Sequence, residues 1–332
     1  MTTATGTSDP SASIRVDGLS LYYALENPYS ERLLAAGVDA TIVTFAADED
    51  WDGTLRAIDR GLKLIADSQD KLLVREPADL DRAKSTGRLG IIMGFQGSDM
   101  IGPDLWRVGL LFNLGLRCLQ LTYSFATLFG DGCAEERNAG LSFLGRDLID
   151  TVNEYPMFLD LSHCGHATTA EAIDRAKNPV CTHSNAFALA PMDRNKKPEA
   201  LAALAAKGGI IGATALPRAV KLEDPTLDDL LEHMGRLIDS CGSMNVGLGL
   251  DFTEGNRKSG VILPAAERNR RLRPDIFGTV ADFFAQKYPQ GIEDISHFLR
   301  IEEGLLNLGY DSNVVRAVMG GNWVRHFHGL FR

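Results

Sequence analysis

The chain has 332 residues, of which 45% are hydrophobic and 23% are charged. This composition is typical of a globular protein, and the length suits one large domain or two small ones. The formal net charge of −10 argues against a nucleic-acid partner, which would require a basic surface.

The N-terminal segment and the cysteines indicate where the protein resides. Residues 1–13 are rich in Thr, Ser and Ala and lack the basic and apolar regions of a signal peptide, so we expect a disordered tail. No apolar run reaches the length of a membrane span. The five cysteines are scattered, without CxxC spacing, which favours reduced thiols. The sequence therefore predicts a cytoplasmic protein without a membrane partner.

From residue 14 onward, short apolar runs alternate with amphipathic stretches. Nine runs predict strands, at residues 14–16, 38–45, 71–74, 89–94, 117–121, 157–161, 179–182, 208–214 and 246–250. Helices are predicted at residues 54–67, 79–85, 143–154, 168–177, 198–207 and 227–241. Apolar strands that are each followed by a helix are typical of a parallel sheet, either a (β/α)₈ barrel or a doubly wound fold. Because nine exceeds eight, we interpret 71–74 as an edge strand or a misassigned run.

No linker divides residues 14–332, so we expect a single domain. Within it, residues 254–291 show weak periodicity and follow a predicted strand. Its basic residues include Arg257, Lys258, Arg268, Arg270, Arg271 and Arg273. In a barrel, a loop after a strand lies at the catalytic face. The segment is either a loop insertion that forms a lid over anionic substrate groups or a solvated surface excursion.

Three apolar runs lead into polar residues with catalytic chemistry. His163 and His183 follow successive strands, and Asp251 follows a third. Neighbouring strands lie about 4.8 Å apart, so both imidazoles can reach one metal ion. Asp251 is then a candidate general base or metal ligand. Taken alone, each histidine favours the interpretation as a hydrogen-bonded strand-end residue, but the matched pair favours a metal site.

Several segments, in consistent order, resemble the membrane (renal-type) dipeptidases, a family of zinc peptidases. The matching segments are LQLTY (119–123), GDGC (130–133), GLSFLG (140–145), DLSH (160–163), THSN (182–185), RN (194–195), GLDF (249–252) and MGGNWVRHF (319–327). This resemblance implies a (β/α)₈ TIM-type barrel of the metallo-dependent amidohydrolase type, usually with two zinc ions and usually homodimeric. It also implies that Arg194 matches the residue that grips the carboxylate of a small-molecule substrate.

The sequence departs from the family pattern on one half of the site. The first strand of the family ends in Asp-Gly-His-x-Asp, whereas Leu19 and Leu21 stand at the two ligand positions here. Gln96 replaces the bridging Glu, and Tyr123 replaces a substrate-contacting His. A neutral amide cannot bridge two cations as a carboxylate does. His163 and His183 resemble the ligands of the second metal, so we predict either one zinc ion or none, with Gln96 as a weak third ligand.

Three functions follow from these residues. The leading hypothesis is a metal-dependent hydrolase of dipeptide-like amides, with Asp251 as proton acceptor, Arg194 on the substrate carboxylate and Tyr123 at the oxyanion. A second keeps the barrel but replaces hydrolysis with an isomerisation or elimination in which Asp251 is the base. The third is a non-catalytic binding protein that retains the pocket.

Overall fold

A computed structural model describes residues 14–47 and 49–332, so the tail predicted over residues 1–13 lies outside the described residues. All nine predicted strands are present: β1 (Val16–Ser20), β2 (Ala40–Ala46), β3 (Lys71–Leu73), β4 (Leu89–Phe95), β5 (Leu116–Gln120), β6 (Phe158–Asp160), β7 (Pro179–Cys181), β8 (Ile210–Ala213) and β9 (Val246–Leu248). Their order is β2-β1-β9-β8-β7-β6-β5-β4, and β4 pairs back with β2. All pairings are parallel. The predicted (β/α)₈ barrel is confirmed.

The ninth strand, β3, lies outside the closed barrel. It pairs with the first half of β4, over Leu89–Ile91. The neighbouring strand β5 pairs only from Met93 onward, which leaves the first half of that edge of β4 open for β3. The interpretation of 71–74 as an edge strand is therefore confirmed.

Sixteen α-helices are found among the described residues: α1 (Tyr29–Ala35), α2 (Trp51–Ala66), α3 (Pro77–Ser85), α4 (Arg107–Leu114), α5 (Phe143–Val152), α6 (His166–Arg175), α7 (Pro198–Ala206), α8 (Pro217–Val220), α9 (Leu227–Cys241), α10 (Glu254–Lys258), α11 (Pro264–Leu272), α12 (Pro274–Phe277), α13 (Val280–Ala285), α14 (Leu299–Asn307), α15 (Ser312–Arg316) and α16 (Asn322–Gly329). All six predicted helices are present. The segment with weak periodicity, 254–291, contains the four short helices α10 to α13. Over the described part of the chain, no helix is both long and apolar enough to cross a bilayer.

Close strand packing surrounds the end of β7. A Cβ atom added at Gly249 would stand 1.8 Å from the carbonyl oxygen of Thr182, and one at Gly212 would stand 2.1 Å from the same atom. Only glycine permits two neighbouring backbone segments to approach this closely. Gly212 within β8 and Gly249 directly after β9 therefore let these segments pack closely against Thr182, next to His183.

Candidate active site

The predicted site residues gather at one end of the barrel. Gln96 directly follows β4, His163 lies three residues after β6, His183 lies two residues after β7, and Asp251 lies three residues after β9. Because all eight barrel strands are parallel, these positions share the carboxyl-terminal face, where barrel enzymes build their active sites.

The two imidazoles converge on one point. Their Nε2 atoms lie 3.2 Å apart, and the Gln96 side-chain amide lies 3.1 Å from Nε2 of His183. Two nitrogen ligands at about 2.0–2.1 Å from a tetrahedral ion are separated by roughly 3.3 Å. The spacing of these donor atoms is therefore suited to a single ion, with either orientation of the amide available for Gln96.

His183 is oriented by a short relay that starts at a buried carboxylate. The Thr182 hydroxyl donates to Asp160 Oδ2 at 2.6 Å and lies 2.6 Å from Nδ1 of His183. Because that hydroxyl proton goes to the carboxylate, Nδ1 carries the proton and donates to Thr182. Nε2 of His183 consequently presents its lone pair to the site, the arrangement that favours a metal ligand.

His163 is also held through Nδ1, by residues from two other segments. Its Nδ1 atom lies 3.1 Å from the Ser124 hydroxyl, which also accepts a hydrogen bond of 2.9 Å from the Asn269 amide on α11. Burial, followed by the positive charge of Arg194, holds the pKa of His163 well below its ordinary value. The same two causes lower the pKa of His183, so both imidazoles are neutral at physiological pH.

Arg194 is buried beside the histidines, with 1% of its surface exposed. Its Nη1 donates to the carbonyl oxygens of Ser162 at 2.7 Å and His183 at 2.9 Å. Its Nη2 donates to Nε2 of His163 at 3.1 Å, so a cation that binds to this nitrogen would displace that hydrogen bond. Its Nε is buried and has no hydrogen-bond partner among the described residues.

Asp251 occupies a strained and buried position. Its backbone φ of 55° lies in the left-handed region, which costs energy for a non-glycine residue and is often found at functional sites. The Tyr288 hydroxyl fixes this turn by donating to the Asp251 carbonyl oxygen at 2.6 Å. Burial raises the pKa of Asp251 to about 6, although the positive charges of Arg194 and Arg270 partly oppose this effect.

Two leucines stand at the end of β1, where the family pattern has metal ligands. Leu19 and Leu21 are both buried, and Leu21 lines an open cavity of about 900 Å³ together with the end of β2. Neither side chain carries a donor atom for a metal. Asp17 accepts a hydrogen bond of 2.8 Å from the backbone of Leu250, and burial raises the pKa of this carboxyl to about 7.

A family model described as membrane dipeptidase (peptidase family M19) matches residues 14–262, which is most of the chain. The chain belongs to the membrane dipeptidase family. The resemblance deduced from its motifs is therefore confirmed, and the fold agrees with that of the family.

Several known proteins are similar to this chain in sequence or in fold. An amidohydrolase from Pseudomonas aeruginosa is 31% identical, with 97% of each chain covered and a TM-score of 0.83. A metallo peptidase from Rhodobacter sphaeroides, liganded with a phosphinate mimic of the dipeptide L-Ala-D-Ala, shares the fold at 21% identity, with a TM-score of 0.77 over 95% of this chain and 98% of that chain. Dipeptidase verJ from Clonostachys rogersoniana is 26% identical over 85% of this chain. The matches cover 50% to 66% of the length of four curated dipeptidase relatives.

Within the described residues, the positions that match the family's metal ligands differ in their donor atoms. His163, His183 and Gln96 converge on one point, whereas Leu19 and Leu21 supply no donor atoms at the other metal position. Among the described residues, no group of three or more His, Cys, Asp or Glu side chains comes together in a metal-binding arrangement. Only two side chains of these four types, His163 and His183, meet at the point of convergence, because the third candidate ligand is the amide of Gln96.

Sequence reasoning placed Tyr123 at the site, and its ring centroid lies 4.5 Å from that of His163. It gave no role to Ser124, Asn269 or Thr182, which orient the imidazoles. For Thr182 and Ser124 the available signal was their position next to His183 and Tyr123. For Asn269, which lies 145 residues from Ser124, the sequence carries no such signal.

Proposed function

We propose that this member of the family hydrolyses small dipeptide-like amides and binds at most one zinc ion. The observation that carries the proposal is the approach of two neutral imidazole Nε2 atoms to 3.2 Å, each with its other ring nitrogen tied to a hydroxyl. Each Nε2 atom already lies beside a hydrogen-bond donor, Arg194 Nη2 for His163 and the Gln96 amide for His183, and a bound ion would take the place of these contacts. His163 and His183, with the amide oxygen of Gln96, would hold that ion, which when bound supplies Lewis-acid polarisation of the scissile carbonyl.

The remaining residues divide the work of substrate binding and proton transfer. Asp251 in its ionised form accepts a proton from the attacking water and passes it to the leaving amine. Arg194 binds the substrate carboxylate through its unpartnered Nε, because a guanidinium suits a planar carboxylate. Tyr123, stacked beside His163, donates to the oxyanion that forms at the carbonyl.

The proposal extends to domain organisation and assembly. Residues 14–332 form one catalytic domain, in which 254–291 acts as a loop insertion at the catalytic face, supported by the contact of Asn269 with Ser124. Homodimeric assembly is proposed from the resemblance to the family. A cytoplasmic location is proposed because all five cysteines are free and buried, as expected of a reducing compartment.

The test is turnover of a dipeptide panel that includes both stereoisomers of the leaving residue, with the zinc-loaded protein. We expect release of free amino acids from at least one dipeptide, and loss of this release in Asp251→Asn. Asp239→Asn, an exposed carboxylate on α9, is the matched control and should retain turnover. If the folded, zinc-loaded protein hydrolyses none of the panel, the hydrolase proposal is wrong, and isomerisation or elimination with Asp251 as base replaces it.

A further inference from the structure

Helix α11 brings two consecutive buried side chains to the active site. Asn269 and Arg270 expose 2% and 8% of their surfaces, whereas their neighbours Arg268 and Arg271 are exposed. Asn269 reaches the His163 network through Ser124 at 2.9 Å. The positive charge of Arg270 acts on Asp251, Tyr123 and Tyr288. The buried face of α11 is therefore turned towards the catalytic residues.

Arg270 is a buried cation whose hydrogen-bonding capacity is largely unused by the protein. Nη1 donates to Ala266 of its own helix at 3.1 Å, and the guanidinium lies 4.6 Å from the ring centroid of Phe283. Nε has no partner among the described residues. Asp251 and Asp282 act on Arg270 through charge alone. By contrast, Arg273, three residues later, forms an ion pair of 2.6 Å with Asp275.

A buried cation without a paired anion is costly, and its cost falls when an anion binds. The contact with the Phe283 ring holds the guanidinium in place, and its Nε, which has no partner among the described residues, can donate to a planar anion that binds beside it. A carboxylate can accept two parallel hydrogen bonds from a guanidinium. In the proposed function, Arg194 binds one carboxylate of the substrate. Arg270 can bind a second carboxylate of the same molecule.

We infer that Arg270 is a specificity-determining residue that binds a second carboxylate, and that the substrates are dipeptide-like amides with an acidic side chain. The inference rests on the proposed function for the place of the substrate, but binding can be measured without turnover. Arg270 touches the substrate at a distance from the scissile bond and takes no part in proton transfer.

The experiment measures binding by calorimetry with two matched pairs of small ligands that place the second carboxylate on either side of an amide. The pairs are N-acetylglutamate with N-acetylglutamine, and N-succinylglycine with N-butyrylglycine, with both stereoisomers of the chiral pair. The proteins are wild type, Arg270→Met and the control Arg271→Met, which removes the same charge from an exposed position of the same helix.

In wild type and Arg271→Met, the acidic member of at least one pair should bind about tenfold or more tightly than its neutral partner, as expected for charge-assisted hydrogen bonds. In Arg270→Met this preference should vanish, while the affinity for the neutral partner stays the same. Arg270→Lys keeps the positive charge but loses the paired N–H donors of the guanidinium, so it should retain only part of the preference. It also provides the test if Arg270→Met does not fold.

Three results would overturn the inference. These are equal affinities within both pairs in wild type, a preference that survives in Arg270→Met, or equal weakening of acidic and neutral ligands, which indicates that Arg270 only supports Asp251. A preference that depends on Arg270 in a protein that hydrolyses no dipeptide would instead refute the hydrolase proposal and leave the second carboxylate site standing.

Discussion

The two halves of the barrel mouth differ in how their buried groups are satisfied. After β6 and β7, His163 and His183 are each tied through Nδ1 to a hydroxyl and present Nε2 to the centre. After β1, Leu19 and Leu21 fill the positions where the family has ligands, and the nearby Asp17 is a buried carboxyl with a pKa raised to about 7. One half is organised to hold a cation, whereas the other favours uncharged groups.

This difference shows that a metal site depends on the residues behind the ligands as much as on the ligands. The relay from Asp160 through Thr182 fixes the tautomer of His183, and partners of this kind commonly contribute 10- to 100-fold to metal affinity. In the β1 half, Leu19 and Leu21 supply no donor atoms at the two ligand positions. Asp251 lies where the halves meet, and the charge of Arg194 acts on it.

The largest expected effect concerns Asp251. Asp251→Asn should lower kcat by about 10²- to 10⁴-fold, the usual contribution of a general base. Because the base must be ionised and its pKa is raised to about 6, wild-type activity should fall as pH drops through about 6 and level off above it. Initial rates across a pH series measure this. An acidic limb near pH 4 would contradict the assignment.

The next largest effect concerns zinc binding by the two histidines. His163→Ala and His183→Ala should each weaken zinc binding by more than about 100-fold, since loss of an outer partner alone costs up to that amount. A zinc titration against a competing chelator measures the change. His297→Ala, in a short helix before α14, serves as the control and should bind as wild type. Wild-type affinity in either active-site variant would exclude these imidazoles as ligands.

Variants of Gln96 test whether a negative charge strengthens zinc binding at the two histidines without creating a second zinc site beside Leu19 and Leu21. Gln96→Ala should weaken zinc binding less than either histidine variant, because a neutral amide oxygen is a poorer ligand than an imidazole. Gln96→Glu should tighten binding by roughly tenfold through Coulomb attraction in a partly dry pocket. The same titration gives its stoichiometry, which should remain at most one. A second equivalent of zinc in Gln96→Glu would show that Leu19 and Leu21 are not what prevents the second site.

The last of these predictions tests the β1 half through folding stability instead of metal binding or turnover. The pKa of Asp17 is raised from 3.8 to about 7, chiefly by burial, so the folded state holds a proton that the unfolded state has released. Its contribution to the free energy of unfolding is therefore present at low pH and falls by up to about 1.4 kcal/mol per pH unit between about pH 4 and 7. Urea unfolding of Asp17→Asn across this range should show a flatter pH dependence than wild type. An unchanged slope would show that Asp17 is not buried as a neutral acid.

Much of this architecture could be predicted from the sequence because its signal is local. Apolar runs identified all nine strands, and the strand-end histidines indicated the site because parallel strands bring their carboxyl ends together. The ends of the elements were less accurate. Strand β6 ends at Asp160 rather than at residue 161, because the Asp160 side chain bonds to Ser162 and Thr182 where the chain leaves the sheet.

Contacts between distant segments could not be predicted. The inward direction of Arg194 depends on the carbonyls of Ser162 and His183, whose orientation is set only by the closed barrel. Likewise, nothing local distinguishes Arg270 from the other basic residues of 254–291. Its burial follows from how α11 packs over the site, which is a property of the whole fold.

The most direct test of the central claim is the metal content of crystals grown with excess zinc, measured by anomalous scattering. One zinc ion between His163, His183 and Gln96, with no anomalous peak beside Leu19 and Leu21, is the predicted result. Two zinc ions per chain at full occupancy would contradict it, because the β1 half would then bind a cation without the ligands that the account requires.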